Sequence, residues 1–365
     1  MCNRDTVVEA AKRCPNEPCN GGRARARSCP LVNYRASAEG FLREIHEVAD
    51  HRASAKQTLK LRHGTLHAAT DSGLYRKPLG VEVGWTTEGL QGKTVVDVAW
   101  RGDGDMLAGV QHEEGQTGPV LYKRATPNAQ WTPFDTGYGP DDHRHVRALA
   151  SIPGSRDTLL ARGVVNVARS TDGGGQWTSM WREWRETGYQ APLLYVSPHD
   201  PSVVFAGGES SIFQPYLVRS PDYGATWQRA SGVSAGGDNA VYAMIEHPDD
   251  PGRFLLGMEG RVLRSNDGGR NWTLTYEPPQ YTYVFDFAAR QAGNRTIIYA
   301  TGSENGTGGG RLTLHRTDDF GESWERVSYT AGPDSAATRA LTLTENGGRT
   351  RLYLGTTDGV YVYRP

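Results

Sequence analysis

Two carboxylates and a set of arginine and aromatic side chains recur at matching places in this chain and could do chemistry together. Asp97, Arg147, Pro192, Tyr242, Asp286 and Arg339 align at equivalent positions of six short apolar segments. If those segments converge, two carboxylates and two guanidinium groups meet at one narrow opening, where low dielectric strengthens their fields. Glycosidic chemistry needs carboxylates roughly 5–10 Å apart, so Asp97, Asp286 and Glu209 are the candidates for an acid and a base. The same charges could instead neutralise one another, or Arg147, Tyr242, Tyr283 and Arg339 could grip a ligand without turning it over. Segment 179–192, SMWREWRETGYQAP, adds Trp181, Trp184 and Tyr189 as flat apolar faces and Arg182 as a directional donor. That mix suits stacking on sugar rings or anchoring a protein hot spot, and packing beneath the loop is the plainer use of the tryptophans.

Other matches carry less. Asp141, Asp142, His143 and His145 could bind a divalent cation or shuttle protons, yet no third ligand cluster accompanies them, and neither metal nor cofactor is assigned. Arg101-Gly102-Asp103 has ordinary turn chemistry, and the glycine run 306–310 lacks the Lys-Ser/Thr of a phosphate loop. No H-E-x-x-H helix occurs.

The elements that must position these residues repeat. Four segments share S/T-x-D-x-G-x-x-W: Ser170, Asp172, Gly174, Trp177; Ser220, Asp222, Gly224, Trp227; Ser265, Asp267, Gly269, Trp272; and Thr317, Asp319, Gly321, Trp324. Trp131 and Trp85 extend the register backwards without the Asp and Gly. Around each tryptophan lie short apolar runs of the form "apolar run, Ala/Gly, turn, Val/Leu-x-Arg", seven copies over 58–365. At about 44 residues per copy they fit a four-stranded propeller blade. Within the motif, Asp and Ser/Thr bind nearby backbone amides, Gly supplies positive φ and Trp covers the sheet, so these residues are structural rather than catalytic.

The seventh copy ends at Pro365 after its third strand, which leaves an open edge. The missing strand is expected from Leu31–Ala36 or Thr58–Arg62. Phe41, Leu42, Ile45, Val48 and Ala49 recur at helical spacing, so 39–52 predicts a short helix within an N-terminal strand/helix segment, 31–57. Residues 1–30 read as an extended or disordered leader holding Cys2, Cys14, Cys19 and Cys29, whose pairing stays open. The expectation is an all-β, seven-bladed β-propeller with a short helix and leader at its N-terminal side.

These motifs resemble the BNR/Asp-box propellers, a superfamily with sialidases, xyloglucanase-type enzymes, sortilin-type receptors and the photosystem II stability/assembly factor family, to which the chain is similar in size. The resemblance covers 58–365 and is specific for architecture. Sialidases of the group usually have six blades and an Arg-Ile-Pro segment before the first Asp box, which this chain lacks. Xyloglucanases resemble two facing propellers, and one is present here. The resemblance implies a non-catalytic binding or assembly propeller that holds a protein segment or glycan, with a glycoside hydrolase or lyase as the alternative.

Composition narrows the partners. With 40 basic and 41 acidic residues, a net charge of −1 gives no global field to attract nucleic acid. No apolar stretch reaches the roughly 20 residues of a membrane span. Cys2 directly after Met1 would allow a lipid anchor. An extracytoplasmic monomer is the expectation.

Overall fold

The structure, a computed structural model, describes residues 41–44 and 56–365, apart from 82, 103, 113–115, 139–144, 165, 183–192, 210–213, 234–239, 279–280, 305–310 and 330–335. Its strands form seven four-stranded antiparallel sheets. Blade 1 is β2 (Lys56–Arg62), β3 (Thr65–Thr70), β4 (Gly73–Pro78) and β5 (Thr86–Gly89). Blade 2 is β6 (Thr94–Trp100), β7 (Met106–Gln111), β8 (Leu121–Arg124) and β9 (Thr132–Pro133). Blade 3 is β10 (Ala148–Ser151), β11 (Leu159–Arg162), β12 (Asn166–Ser170) and β13 (Thr178–Arg182). Blade 4 is β14 (Leu193–Val196), β15 (Val204–Glu209), β16 (Pro215–Ser220) and β17 (Gln228–Arg229). Blade 5 is β18 (Val241–Glu246), β19 (Phe254–Met258), β20 (Arg261–Ser265) and β21 (Thr273–Tyr276). Blade 6 is β22 (Thr282–Ala292), β23 (Arg295–Glu304), β24 (Leu312–Thr317) and β25 (Glu325–Arg326). Blade 7 is β26 (Thr338–Asn346), β27 (Arg349–Thr356) and β28 (Gly359–Tyr363), completed by β1 (Phe41–Glu44).

The first strands β2, β6, β10, β14, β18, β22 and β26 each neighbour the next, and β26 returns to β2, so the sheets close into a propeller ring. Every blade is sandwiched between two others. Both faces of its inner strands are therefore buried, which explains near-continuous apolar runs such as β6, TVVDVAW. The two-residue outer strands β9, β17 and β25 are exposed and polar.

The closing strand differs from the expectation. Thr58–Arg62 lies in the innermost strand of blade 1, Leu31–Ala36 lies outside the described residues, and Phe41–Glu44, expected to be helical, is the strand that completes blade 7. It runs antiparallel to β28, with Phe41 opposite Tyr363 and Glu44 opposite Val360. The unpaired amides and carbonyls of β28 give four residues a ladder that no isolated short helix could match in stability. The other residues of the expected helix lie outside the described residues.

The four S/T-x-D-x-G-x-x-W motifs make the same turn. In the first, Ser170 Oγ donates to Asp172 Oδ1 at 2.8 Å, and the Gly174 amide donates to Ser170 Oγ at 2.8 Å. The Gln176 amide then donates to Asp172 Oδ1 at 3.0 Å. Gly174 (φ 90°) lies against Phe134 of blade 2, and Gly269 (φ 78°) against Phe205 of blade 4. A side chain at either place would be strained and would overlap the ring, so the motif also sets how closely a blade approaches its predecessor. Blade 2, whose motif retains only Trp131, is joined to blade 1 differently. Buried Glu88 accepts from Arg124 Nη2 at 2.7 Å and contacts His67 Nδ1 at 2.6 Å, while Trp131 Nε1 donates to the Glu88 carbonyl at 3.1 Å.

Candidate functional site

Inner strands enter the ring with a common irregularity. Register shifts fall between Val95 and Asp97, Val241 and Ala243, Val284 and Asp286, and Thr338 and Ala340. The extra residues are Val96, Tyr242, Phe285 and Arg339, and Arg147 takes the same place directly before β10, its amide donating to the Arg162 carbonyl at 2.7 Å. Such bulges re-aim side chains. Asp97 and Asp286 therefore sit one residue beyond Arg147, Tyr242 and Arg339 rather than in line with them, because the alignment of apolar runs cannot register a bulge. Pro192 lies outside the described residues.

On the blade 5 and 6 side, the mouth carries an aromatic cluster around one carboxylate. The two-residue turn Glu259-Gly260 joins β19 to β20, and Gly260 takes the positive φ (65°) that this turn requires. The turn is fastened on both sides, the Glu259 amide donating to the Ala240 carbonyl at 3.2 Å and the Gly260 amide to the Thr282 carbonyl at 2.8 Å. Tyr242 Oη donates to Glu259 Oε1 at 2.7 Å and Tyr281 Oη to Oε2 at 3.4 Å, with Tyr283 a further donor. Burial raises the Glu259 pKa, and the phenol and amide bonds offset only part of that rise. Burial and the Glu259 charge in turn push Tyr281 up to about 12.

The rings touch one another. Tyr242 meets Phe285 edge-on at 4.8 Å, Tyr283 stands 5.9 Å from both, and Tyr281 is 5.6 Å from Tyr283. The Arg339 guanidinium lies 5.3 Å from the Phe285 centroid. Glu209, from blade 4, is near enough to raise both Tyr242 and Tyr283. Tyr281 is 50% exposed, so the cluster offers an open face with an anchored base. The sequence candidates Tyr242, Tyr283, Arg339 and Glu209 thus come together. Glu259, Tyr281 and Phe285 escaped sequence reading, although Glu-Gly between two apolar runs is a hairpin signal.

On the blade 2 to 4 side, Arg147 Nη1 donates to Gln111 Oε1 at 2.7 Å. Arg162, buried behind it, donates to Tyr216 Oη at 2.7 Å and to the Gly163 carbonyl at 3.1 Å. Burial first, and the Arg162 charge second, lower the Arg147 pKa.

The two channel aspartates are engaged with backbone. Asp97 accepts from the Val98 amide at 2.8 Å and, across the blade boundary, from the Leu149 amide at 2.9 Å, and it pairs with Lys60 Nζ at 2.7 Å. Asp286 repeats the pattern with the Phe287 amide at 2.8 Å and the Leu341 amide of blade 7 at 2.7 Å. Both carboxylates thus fasten one inner strand to the next. Asp286 keeps some accessible surface in the bore, yet protein surrounds it and burial pushes it up to about 7. Its two amide bonds and Lys60 counter that rise, while Asp97 adds to it.

The outer loop residues behave differently. Trp181 lies in β13 opposite Val167 and packs with the cluster between blades 3 and 4, and Arg182 ends that strand in an exposed position. Trp184 and Tyr189 lie outside the described residues, as do Asp141, Asp142 and His143. Among the described residues no group of three or more His, Cys, Asp or Glu could hold a metal ion.

No family model matches the chain. Two curated proteins match parts of it. One is the Photosystem II assembly lipoprotein Ycf48 of Synechococcus sp. (strain CC9902), 30% identical over 162 residues, 43% of this chain and 42% of that protein. The other is a xyloglucanase of Paenibacillus sp, 26% identical over 220 residues, 50% of this chain and 21% of that protein. The chain therefore spans less than half the length of each. A solved structure of YCF48 bound to D1 peptide superposes with a TM-score of 0.60 at 15% identity, covering 91% of this chain and 98% of that one, a likeness of fold. Regularly spaced S/T-x-D-x-G-x-x-W motifs, seven closed blades and these stretches of shared sequence support a place for the chain among the BNR/Asp-box β-propellers.

Proposed function

We propose that this propeller is a binding and assembly protein that holds a segment of another protein across its channel mouth. The observation that carries this reading is the mouth itself. Tyr242, Tyr281, Tyr283 and Phe285 stand preassembled around Glu259 on one side, and Arg147 and Arg162 stand on the other. Rigid aromatic faces beside guanidinium groups are the usual composition of protein hot spots. That a fold-alike is known bound to a D1 peptide supports a peptide as the class of ligand. A glycan offered to the same rings is the variant of this reading that the test below separates.

Hydrolysis is less well supported. Acid and base need carboxyl oxygens open to the substrate, and those of Asp97 and Asp286 are given to backbone amides of two successive blades. Among the described residues no helix is long and apolar enough to cross a membrane. The lipoprotein character of one relative supports an extracytoplasmic setting, with Cys2 as the anchoring residue.

Selection of displayed 12-residue peptides on the full chain tests the proposal. Retained peptides should lose at least tenfold in affinity on Tyr283→Ala or Arg339→Ala, and xyloglucan should be neither bound tightly nor cut. Release of reducing sugar from xyloglucan that disappears in Asp286→Asn would overturn it in favour of the hydrolase.

A further inference from the structure

We propose that the blade 2 to 4 side of the mouth is an oxyanion site, in which Arg147 and Arg162 receive a carboxylate of the held segment. This deepens the peptide-holding reading and rests on it only for the source of the carboxylate.

Arg162 is 4% exposed, and both of its side-chain hydrogen bonds go to uncharged acceptors, the Gly163 carbonyl and Tyr216 Oη. Arg147 is half-buried, its one side-chain hydrogen bond goes to the uncharged Gln111 amide, and its Nε has no partner. The two residues are neighbours across the β10–β11 ladder and oppose each other electrostatically. Among the described residues no carboxylate pairs with either. The contrast with Arg124 is instructive, since that equally buried guanidinium sits 2.7 Å from Glu88. A buried charge is costly unless paired, so an uncompensated pair of cations calls for an anion from outside.

A second observation points the same way. Asn166, 4% exposed, stands on the turn that follows Arg162, with its Oδ1 over Gly163 and its Nδ2 lacking any partner. Buried donors are rarely left unmatched. The two guanidinium forks offer donors only, and the unmatched Asn166 Nδ2 adds another, the chemistry that accepts carboxylate or phosphate, while guanidinium geometry matches the two oxygens of a carboxylate.

The test uses the full chain at constant ionic strength, titrated with sodium acetate, inorganic phosphate or chloride, with the thermal unfolding midpoint as readout. Acetate should raise the midpoint saturably where chloride does not. The apparent affinity should fall at least tenfold in Arg162→Gln and less in Arg147→Lys, which keeps the charge. A flat wild-type response overturns the site whatever the variants do, as would follow if a carboxylate of this chain outside the described residues already neutralised the pair. A response to phosphate without one to acetate overturns the carboxylate assignment. Peptides retained in the selection above, remade with Asn, Gln and a C-terminal amide, supply the second arm. They should bind the wild type at least tenfold less tightly than their parents and Arg162→Gln no worse than their parents do. Peptides indifferent to both changes remove the site and leave the peptide-holding reading, whereas an acetate response with no retained peptide removes that reading and leaves the site.

Discussion

Replacing Asp286 by Asn should flatten the pH dependence of stability by an amount the structure sets. Burial raises this carboxyl from an ordinary value of 3.8 to about 7. Between those values the folded protein holds a proton that the unfolded chain has released, so stability falls as pH rises through the window and levels off above it. At about 1.36 kcal/mol per pH unit the full fall is up to about 4 kcal/mol. Asn resembles the protonated acid in shape and cannot ionise, but only its oxygen accepts, so one of the Phe287 and Leu341 amides loses its partner, a loss of about 1–3 kcal/mol at every pH. The variant should therefore be less stable than wild type by about 1–3 kcal/mol near pH 4.5 and level with it, or more stable by up to about 2 kcal/mol, near pH 8. Buried His315, depressed to about 4, contributes a slope of opposite sign, gaining stability as pH rises between about 4 and its ordinary 6.5. Because both proteins carry His315, the difference between their urea midpoints, followed by tryptophan fluorescence at each pH, isolates Asp286. Parallel pH profiles for the two proteins would refute this reasoning, since Asp286 would then be ionised throughout.

Two further substitutions probe how blades are joined. Glu88→Gln should lower stability by about 3–5 kcal/mol, because it leaves buried Arg124 without its counter-charge, and a fall below about 1 kcal/mol in a denaturant titration would show the network to be dispensable. Gly269→Ala should lower stability by about 2–4 kcal/mol, combining positive φ with overlap of the Phe205 ring. Gly64→Ala, at a similar φ of 70° with nothing near its Cβ, should lose only about 1 kcal/mol, and equal losses at the two sites would contradict the packing role.

Much of the ring was legible in the sequence because each blade repeats one turn chemistry at a near-constant interval. Tryptophans at 131, 177, 227, 272 and 324 lie beside or within the outer turns, and the apolar runs between them are the inner strands. The closing strand was not legible. Phe41 and Leu42 with Ile45, Val48 and Ala49 share helical spacing, and only the open edge of β28 decides in favour of a ladder for Phe41–Glu44. At the mouth, Tyr242 and Arg339 could be aligned because they recur at the entry of inner strands. Glu259, Tyr281 and Arg162 could not, because their importance lies in contacts with the neighbouring blade or turn rather than in any spacing of their own. Asp97 and Asp286 looked catalytic by type, whereas their oxygens accept amides of the following blade.

The central claim is that the channel mouth, and not the Asp-box rim, receives the protein segment. Tyr281 and Tyr223 are 50% and 45% exposed, one beside the mouth cluster and the other in an Asp-box turn. A photo-crosslinking p-benzoylphenylalanine placed at each in turn, irradiated with the selected peptides and read by mass spectrometry, compares the two faces directly. Adducts at position 281 with none at 223 are the predicted result, and adducts confined to 223, or equal at both, would contradict the account.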